Sequence, residues 1–321
     1  MTTSKGVGAG LRHLLTLADL TPQSLLALLD RAQVFRAHPH NSTAFRHLLA
    51  GRAVCNLFFE PSTRTRSSFQ LAAQRLGADV LHFDVATSSA GKGESDLDTL
   101  RTIEAMGVQG FVVRHPREGA VAELASHAGP STALINAGDG RHAHPTQALL
   151  DMLTLRQAKG ADFSRLRVLI VGDVRHSRVA RSAVQALRIL GCTGIRLCAP
   201  EPLLSNEDPL AGCEIIQDFD AAIAGVDTVM MLRLQRERMQ DGLVASLDDY
   251  RLDYRLDASR LGLAAPDAVV LHPGPINREV EIASDVADGP QSLILQQVAN
   301  GVAVRMAVLE ALLAPGTDRA E

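Results

Sequence analysis

"AVCNLFFEPSTRTRSSFQLAAQRLGADVLHFD", residues 53–84, sets two short apolar runs, 53–59 and 79–84, on either side of a polar turn and a helical pattern. Apolar runs separated in this way read as parallel strands joined by a crossover helix. In the helical part Phe69, Ala72, Ala73 and Leu76 fall on one face, Ser62 is placed to cap the start and Gly77 to end it. Arg64 and Arg66 are out of place by that logic. A helix N-terminus already carries partial positive charge, so a cation there is unfavourable unless an anion lies nearby. Free N–H groups, the hydroxyls of Ser62, Thr63 and Thr65, and the planar fork of Arg64 are the parts of a phosphate cradle. The plainer reading is a capped surface helix with two solvated arginines; the five hydroxyl-bearing residues alternating with those arginines favour a site. Arg66 lies on the other side of the first turn, where a structural salt bridge is as good a reading as substrate contact.

Outward from this unit the same alternation continues. Strands are expected at 110–114, 132–136, 167–172, 194–199, 227–232 and 268–271, which with the first two gives two mainly parallel sheets of four strands. The fold class is therefore α/β, with two doubly wound domains, as a chain of 321 residues suggests. Residues 145–160 read as the helix joining them, and 290–314 as a long terminal helix with Pro290 in its first turn. Thr21 and Pro22 mark the start of an earlier, structural helix.

Composition narrows the function. A net charge of -4, no Trp and only two Tyr leave neither a basic field nor stacking platforms for nucleic acid. Cys55, Cys192, Cys198 and Cys213 show no zinc spacing and read as reduced, buried thiols. The stretch "LRHLLTLADL" is broken by Arg12, His13 and Asp19, and no apolar run approaches membrane-spanning length. A cytoplasmic protein with no membrane partner is the expectation.

Nucleotide loops are excluded by their own rules. "SSAGKGES" (88–95) has Ala86 where a P-loop needs its first glycine and Gly93 where it needs Ser or Thr, and "VLIVGDVRHSR" has a single glycine. No cofactor is expected. "GDGRHAHPTQALL" (138–150) gives a second helix entry, with His144 at the cap, Pro145 first in the helix and Gln147 on the same side. His142 and His144 lack a third ligand at metal spacing, so no metal is expected, and a neutral imidazole donating a hydrogen bond is the better reading. Arg114 ends a strand in "VVRHPREG", Arg178 starts a helix after the fifth strand, and Arg233 and Gln235 follow the seventh. "HPGPINRE" (272–279) follows the last, with Pro273, Gly274 and Pro275 forming a rigid bend whose carbonyls could face a ligand. Open parallel sheets bind ligands at this carboxyl edge.

Taken together, STRTR, SS-A-GKGE, RHP-EG, HPTQ, DV--SR, LR-Q-ER and HPGP-NR, in this order over nearly the full length, resemble the catalytic chain of the aspartate carbamoyltransferase family. The resemblance implies a carbamoyl phosphate domain, residues 1–146 plus 297–321 with the terminal helix returning to it, and an aspartate domain, 147–296. It also implies a homotrimer with active sites shared between subunits. Whether regulatory chains or a dihydroorotase-like partner enlarge this to a dodecamer stays open.

By the same resemblance Ser62, Thr63, Arg64, Thr65 and Arg114 hold the phosphate, His144 and Gln147 meet the carbamoyl end, and the backbone of Gly274 and Pro275 receives its amide. Arg178, Arg233 and Gln235 bind the carboxylates of L-aspartate, and Lys92, from a neighbouring subunit, contacts both substrates; Ser88 or Ser89 matches the serine of that loop. Glu279 stands where relatives often have glycine. The catalytic set is His144, Arg64, Thr65, Arg114 and Lys92. The sister ornithine enzymes share STRTR but typically carry HPCQ, HCLP and SMG, all absent here, and the cations Arg178, Arg233 and Lys92 suit a dicarboxylate. An ornithine or other amine carbamoyltransferase, and a non-catalytic scaffold of the same fold, are the alternatives.

Overall fold

The structure of the protein, a computed structural model, describes residues 11–38, 43–84, 94–234 and 246–314. They gather into two units, one formed by the residues up to Leu153 together with those from Ala299, the other by Thr154–Val298.

In the first unit α1 (Pro22–Ala37) starts where its sequence dictates, with Thr21 Oγ1 accepting from the Ser24 N–H at 3.1 Å. Then β1 (Ala53–Phe58), α2 (Thr63–Leu76) and β2 (Asp79–Asp84) form the expected crossover unit. α3 (Asp96–Ala105), β3 (Gly110–His115), α4 (Ala120–His127), β4 (Ala133–Asp139) and α5 (Pro145–Lys159) follow. The strands pair in parallel in the order β2-β1-β3-β4. Leu57, Phe111, Val113 and Leu134 of the sheet pack with Leu100, Ile103, Val121 and Leu124 of α3 and α4. Phe69, Ala72, Ala73 and Leu76 of α2 are all buried, and each large side chain among them contributes roughly 1.5–3 kcal/mol. Gly77 ends α2 at φ +88°, and a Cβ there would stand 1.8 Å from the Arg46 carbonyl oxygen, so only glycine fits. Ser62 holds the N-cap position, yet its side chain makes no capping bond. The start is closed instead by the Arg66 N–H on the Ser62 carbonyl at 3.1 Å.

The second unit comprises β5 (Arg167–Val171), α6 (Arg178–Ile189), β6 (Gly194–Cys198), β7 (Glu214–Ile215), α7 (Phe219–Ile223) and β8 (Thr228–Met231). After these come α8 (Leu247–Tyr254), α9 (Ala258–Leu261), β9 (Val269–Leu271), α10 (Ser284–Ala287) and the start of α11 (Ile294–Leu313). Its sheet is parallel, in the order β7-β6-β5-β8-β9, and so has five strands where the apolar runs predict four. The extra strand has two residues, both exposed, at the sheet edge; it leaves no apolar run to read. The terminal helix also begins later than expected. Residues 291–293 lie along β9, the Val270 N–H on Gln291 O at 2.8 Å and the Leu293 N–H on Val270 O at 2.9 Å, which leaves Pro290 in the preceding turn.

The later part of α11 belongs to the first unit. Leu313 packs against Gly110 at the start of β3, and Glu310 takes both bonds of a bidentate pair with Arg31, each 2.6 Å. No helix among the described residues is long and apolar enough to cross a membrane.

Candidate active site

Because every strand of the first sheet is parallel, the carboxyl ends of β1, β3 and β4 lie along one edge. Arg114 stands opposite Phe58 in register, and the Phe59 N–H donates to its carbonyl at 2.8 Å. Its guanidinium pairs with Glu60 and donates to the Ala137 carbonyl at 3.2 Å. One side chain thus ties the segment that follows β1 to the end of β4. α2 starts from this edge, with Thr63 and Arg64 exposed and Thr65 buried. The Ser68 hydroxyl donates back to the carbonyls of Arg64 and Thr65, at 2.7 and 3.0 Å. Arg66 turns the other way, its guanidinium 5.3 Å from the centre of the Phe58 ring, a cation–π contact.

The turn after β4 is organised by Asp139, which is 1% exposed. Its carboxylate accepts from Asn136 Nδ2 at 2.8 Å, Gly119 N at 3.0 Å and Ala143 N at 3.1 Å, and meets His142 Nδ1 at 3.1 Å. Burial alone would raise this carboxyl; hydrogen bonds from His142 and Asn136, the His142 charge and the Gly119 N–H together hold it below the usual carboxylate range. The hub fixes residues 139–144 and ties them to the loop after β3. His144 and Gln147 are both buried at the entry to α5, and Gln147 Nε2 donates to Asp151 Oδ1 at 3.0 Å. Asp151 in turn faces Arg305 of α11, whose guanidinium lies 5.0 Å from the centre of the Phe69 ring. Burial pulls the Arg305 pKa down to about 10, with the Asp151 charge working upward. Asp139 carries no signature in the sequence. Asp151 does, at one helical turn from Gln147, and Arg305 is the only basic residue of α11.

The second unit presents its own carboxyl edge. Arg178 is the first residue of α6, after β5, and is 6% exposed, while Ser177 Oγ caps the helix by accepting from the Ala180 N–H at 3.0 Å. Arg233 follows β8 and is half-buried. Asp173, fully buried, holds His176 by its Nδ1 at 2.8 Å. After β9, Gly274 takes φ +63° and the Gly274–Pro275 bond is cis. Glu279 takes φ +64°, the conformation that glycine adopts easily, and is held by the Ser284 N–H on its Oε1 at 2.8 Å and by Arg255 on its Oε2 at 3.3 Å. The side chain thus compensates for the missing glycine.

Ser62 to Thr65, Arg114, His144 and Gln147 thus lie in the first unit, and Arg178, Arg233, Gly274 and Pro275 in the second. Lys92, Gln235, Ser88 and Ser89 lie outside the described residues. Among the described residues no group of three or more His, Cys, Asp or Glu is arranged to hold a metal ion. All four cysteines are free thiols, and burial pushes Cys55 and Cys198 up to about 12, where neither is a nucleophile.

Comparison with known proteins spans most of the chain. Residues 12–157 match the family model described as aspartate/ornithine carbamoyltransferase, carbamoyl-P binding domain, and residues 164–312 its Asp/Orn binding domain. The aspartate carbamoyltransferase catalytic subunit of Stenotrophomonas maltophilia (strain R551-3) is 66% identical over 304 residues, 94% of this chain and 96% of the relative. That of Xanthomonas campestris pv. campestris (strain B100) is 66% identical over 303 residues, with the same coverage of 94% and 96%. Among solved structures, aspartate transcarbamoylase from Trypanosoma cruzi in complex with carbamoyl phosphate superposes with a TM-score of 0.86 at 31% identity, over 96% of this chain and 99% of that one. Ornithine carbamoyltransferase from Thermus thermophilus gives 0.82 at 27% identity, over 94% and 99%.

Proposed function

Because the chain belongs to the aspartate/ornithine carbamoyltransferase family, we propose that it transfers the carbamoyl group of carbamoyl phosphate to the amine of L-aspartate, giving N-carbamoyl-L-aspartate and phosphate. This is the committed step of de novo pyrimidine synthesis. The observation that carries the reading is the first sheet's carboxyl edge, where the hydroxyl-rich start of α2 follows β1, Arg114 stands at the end of β3 and the buried His144 follows β4.

Ser62, Thr63, Arg64, Thr65 and Arg114 take the phosphate. The dipole of α2 and the cations act on the same charge, and the anion is what makes Arg64 tolerable at a helix start. His144 and Gln147 meet the carbamoyl end, and the backbone of Gly274 and Pro275 accepts from its amide. In the second unit Arg178, Arg233 and Gln235 take the two carboxylates of aspartate, and Lys92 contacts both substrates. A buried cation such as Arg178 favours a dicarboxylate over the ammonium of ornithine.

Carbamoyl phosphate is already an activated acyl group, so the amine attacks its carbonyl carbon directly. The new C–N bond forms as the C–O bond to phosphate breaks, and the amine's proton leaves with the phosphate. Both substrates are anionic, and neutralising their repulsion while holding them in attack geometry supplies up to roughly 7–11 kcal/mol of the barrier. His144, Arg114 and Thr65 polarise the carbonyl as charge develops on it; one such donor is typically worth about 2.7–4 kcal/mol.

Arg64 is exposed. Arg64→Ala therefore lowers kcat roughly 10²- to 10³-fold while the far-ultraviolet circular dichroism stays that of the parent. Normal turnover in the folded variant would sink the assignment. The same assay run with ornithine in place of aspartate checks the acceptor, and no product from either amine would favour the scaffold. The homotrimer with shared sites, in the cytoplasm, is part of the proposal. The mass of the purified assembly, alone and with dihydroorotase-like or regulatory chains, tests it.

A further inference from the structure

Two His-Pro dipeptides, one in each unit, are folded in the same way. His272 Nδ1 accepts the Gly274 N–H at 2.8 Å and its Nε2 meets Glu281 Oε1 at 3.1 Å. His115 Nδ1 accepts the Arg117 N–H at 2.9 Å and its Nε2 meets Asp96 Oδ2 at 3.1 Å. A backbone N–H can only donate, so in each ring Nδ1 carries the lone pair and Nε2 the proton, which points at a carboxylate. The pair in the second unit is the more enclosed, with both side chains 0% exposed.

Glu281 Oε1 also accepts the Asn277 N–H at 2.6 Å, and Gln297 Oε1 accepts the His272 N–H at 2.9 Å. These bonds decide the chemical character of the bend between them. Pro273 and Pro275 have no N–H, so Gly274 supplies the only one in the Pro-Gly-Pro stretch, and the His272 ring takes it. No hydrogen bond among the described residues ends on the carbonyl oxygens of Pro273, Gly274 or Pro275. What remains for a ligand is a row of acceptors with no competing donor.

We infer that His272 and Glu281 are specificity-determining positioning residues: by drawing the one N–H of the bend inward, they make it a pure acceptor that selects an acyl phosphate bearing an NH₂ over the one bearing a methyl. The inference rests on the carbamoyl-transfer reading, because it concerns how the backbone of Gly274 and Pro275 meets the amide. A methyl group placed against these carbonyls leaves them desolvated and without a donor, and a site built to hydrogen-bond a substrate group rejects its apolar analogue strongly. With the His272 brace removed, the Gly274 N–H is free to turn, and the stretch loses its single polarity.

The test compares carbamoyl phosphate with acetyl phosphate as donors to aspartate in the full-length protein. With acetyl phosphate the amine forms the C–N bond of N-acetylaspartate, the C–O bond to phosphate breaks and the amine's proton leaves with the phosphate, so the two reactions differ only at the NH₂ or methyl. In His272→Leu and Glu281→Met the ratio of kcat/KM for the carbamoyl over the acetyl donor falls about ten-fold or more, mainly through KM for carbamoyl phosphate. In His272→Asn, whose amide oxygen can take the Gly274 N–H, and in Glu281→Gln, the ratio stays near that of the parent. An unchanged ratio in folded Leu and Met variants overturns the inference. A measurement that needs no substitution covers variants that fail to fold: ¹⁵N spectra of histidine-labelled protein should show His272 as the Nε2–H tautomer. A protonated Nδ1 overturns the inference whatever the kinetics show. Failure of the parent to carbamoylate aspartate would instead overturn the reading beneath it, and the tautomer result would still stand.

Discussion

Asp139 illustrates how much of the candidate site is held by hydrogen bonds within the protein. Its carboxylate collects donors from the loop after β3, from β4 and from the turn before α5. Its pKa lies below the ordinary 3.8, so the folded state binds its proton less readily than the unfolded chain. The stability this contributes is complete above the unfolded value and is lost as pH falls through the folded one. Asp139→Asn keeps the shape but removes the charge and sets an amide donor against other donors, and is expected to destabilise by about 2 kcal/mol at pH 7. Urea unfolding of parent and variant at pH 7 and at pH 3 checks it: the difference should shrink at the lower pH, and an equal difference would contradict the charge argument. Residues of this kind explain what the sequence left unread. Arg64 and Arg114 stand out because a cation at a helix start or strand end looks wrong without a ligand. Asp139 and Glu281 look like ordinary residues until the fold brings their partners to them, such as Gly119 to Asp139 and His272 to Glu281.

At the scale of elements, the apolar runs locate eight strands correctly because each carries enough Val, Ile, Leu, Phe or Met to be read, buried in the inner strands and only half-covered in the edge strand β2. β7 breaks that condition, and the start of α11 is displaced because residues 291–293 pair with β9 before the helix begins. The crossover α2 shows the opposite case, in which one residue type fixes an element's end. Gly77→Ala would adopt a left-handed conformation and press its Cβ onto the Arg46 carbonyl. The expected loss is about 2 kcal/mol or more, read as a lower urea midpoint. A variant as stable as the parent would mean that the 43–52 segment yields without cost. The Ser62 hydroxyl could not be placed from the sequence at all, since a serine at an N-cap position ordinarily bonds the helix and here does not.

For the whole molecule, the important feature is that the first unit is discontinuous. It lacks its last helix until the chain has passed through all of the second, and that helix brings the bidentate Glu310, the buried Arg305 and the Leu313 packing. A chain ending at Val298 should therefore leave the first unit open to proteases along residues 53–139 and the second protected. The two tyrosines, Tyr250 and Tyr254, both lie in α8 and the chain has no Trp, so the near-ultraviolet tyrosine signal follows the second unit alone. It should survive the truncation while limited proteolysis and mass spectrometry register cuts in the first. Equal protection of both units would show that α11 is dispensable.

The same discontinuity has a consequence for how the protein is made. Domains usually fold in the order in which they leave the ribosome. Here β1 to β4 emerge first but lack the packing of α11, Leu313 on Gly110 included, until that helix has cleared the exit tunnel, so the second unit, encoded later, is complete earlier. During synthesis the first sheet is the one that needs shelter, and a nascent chain stalled just after Val298 would hold the second unit complete while the first still waits for its last helix.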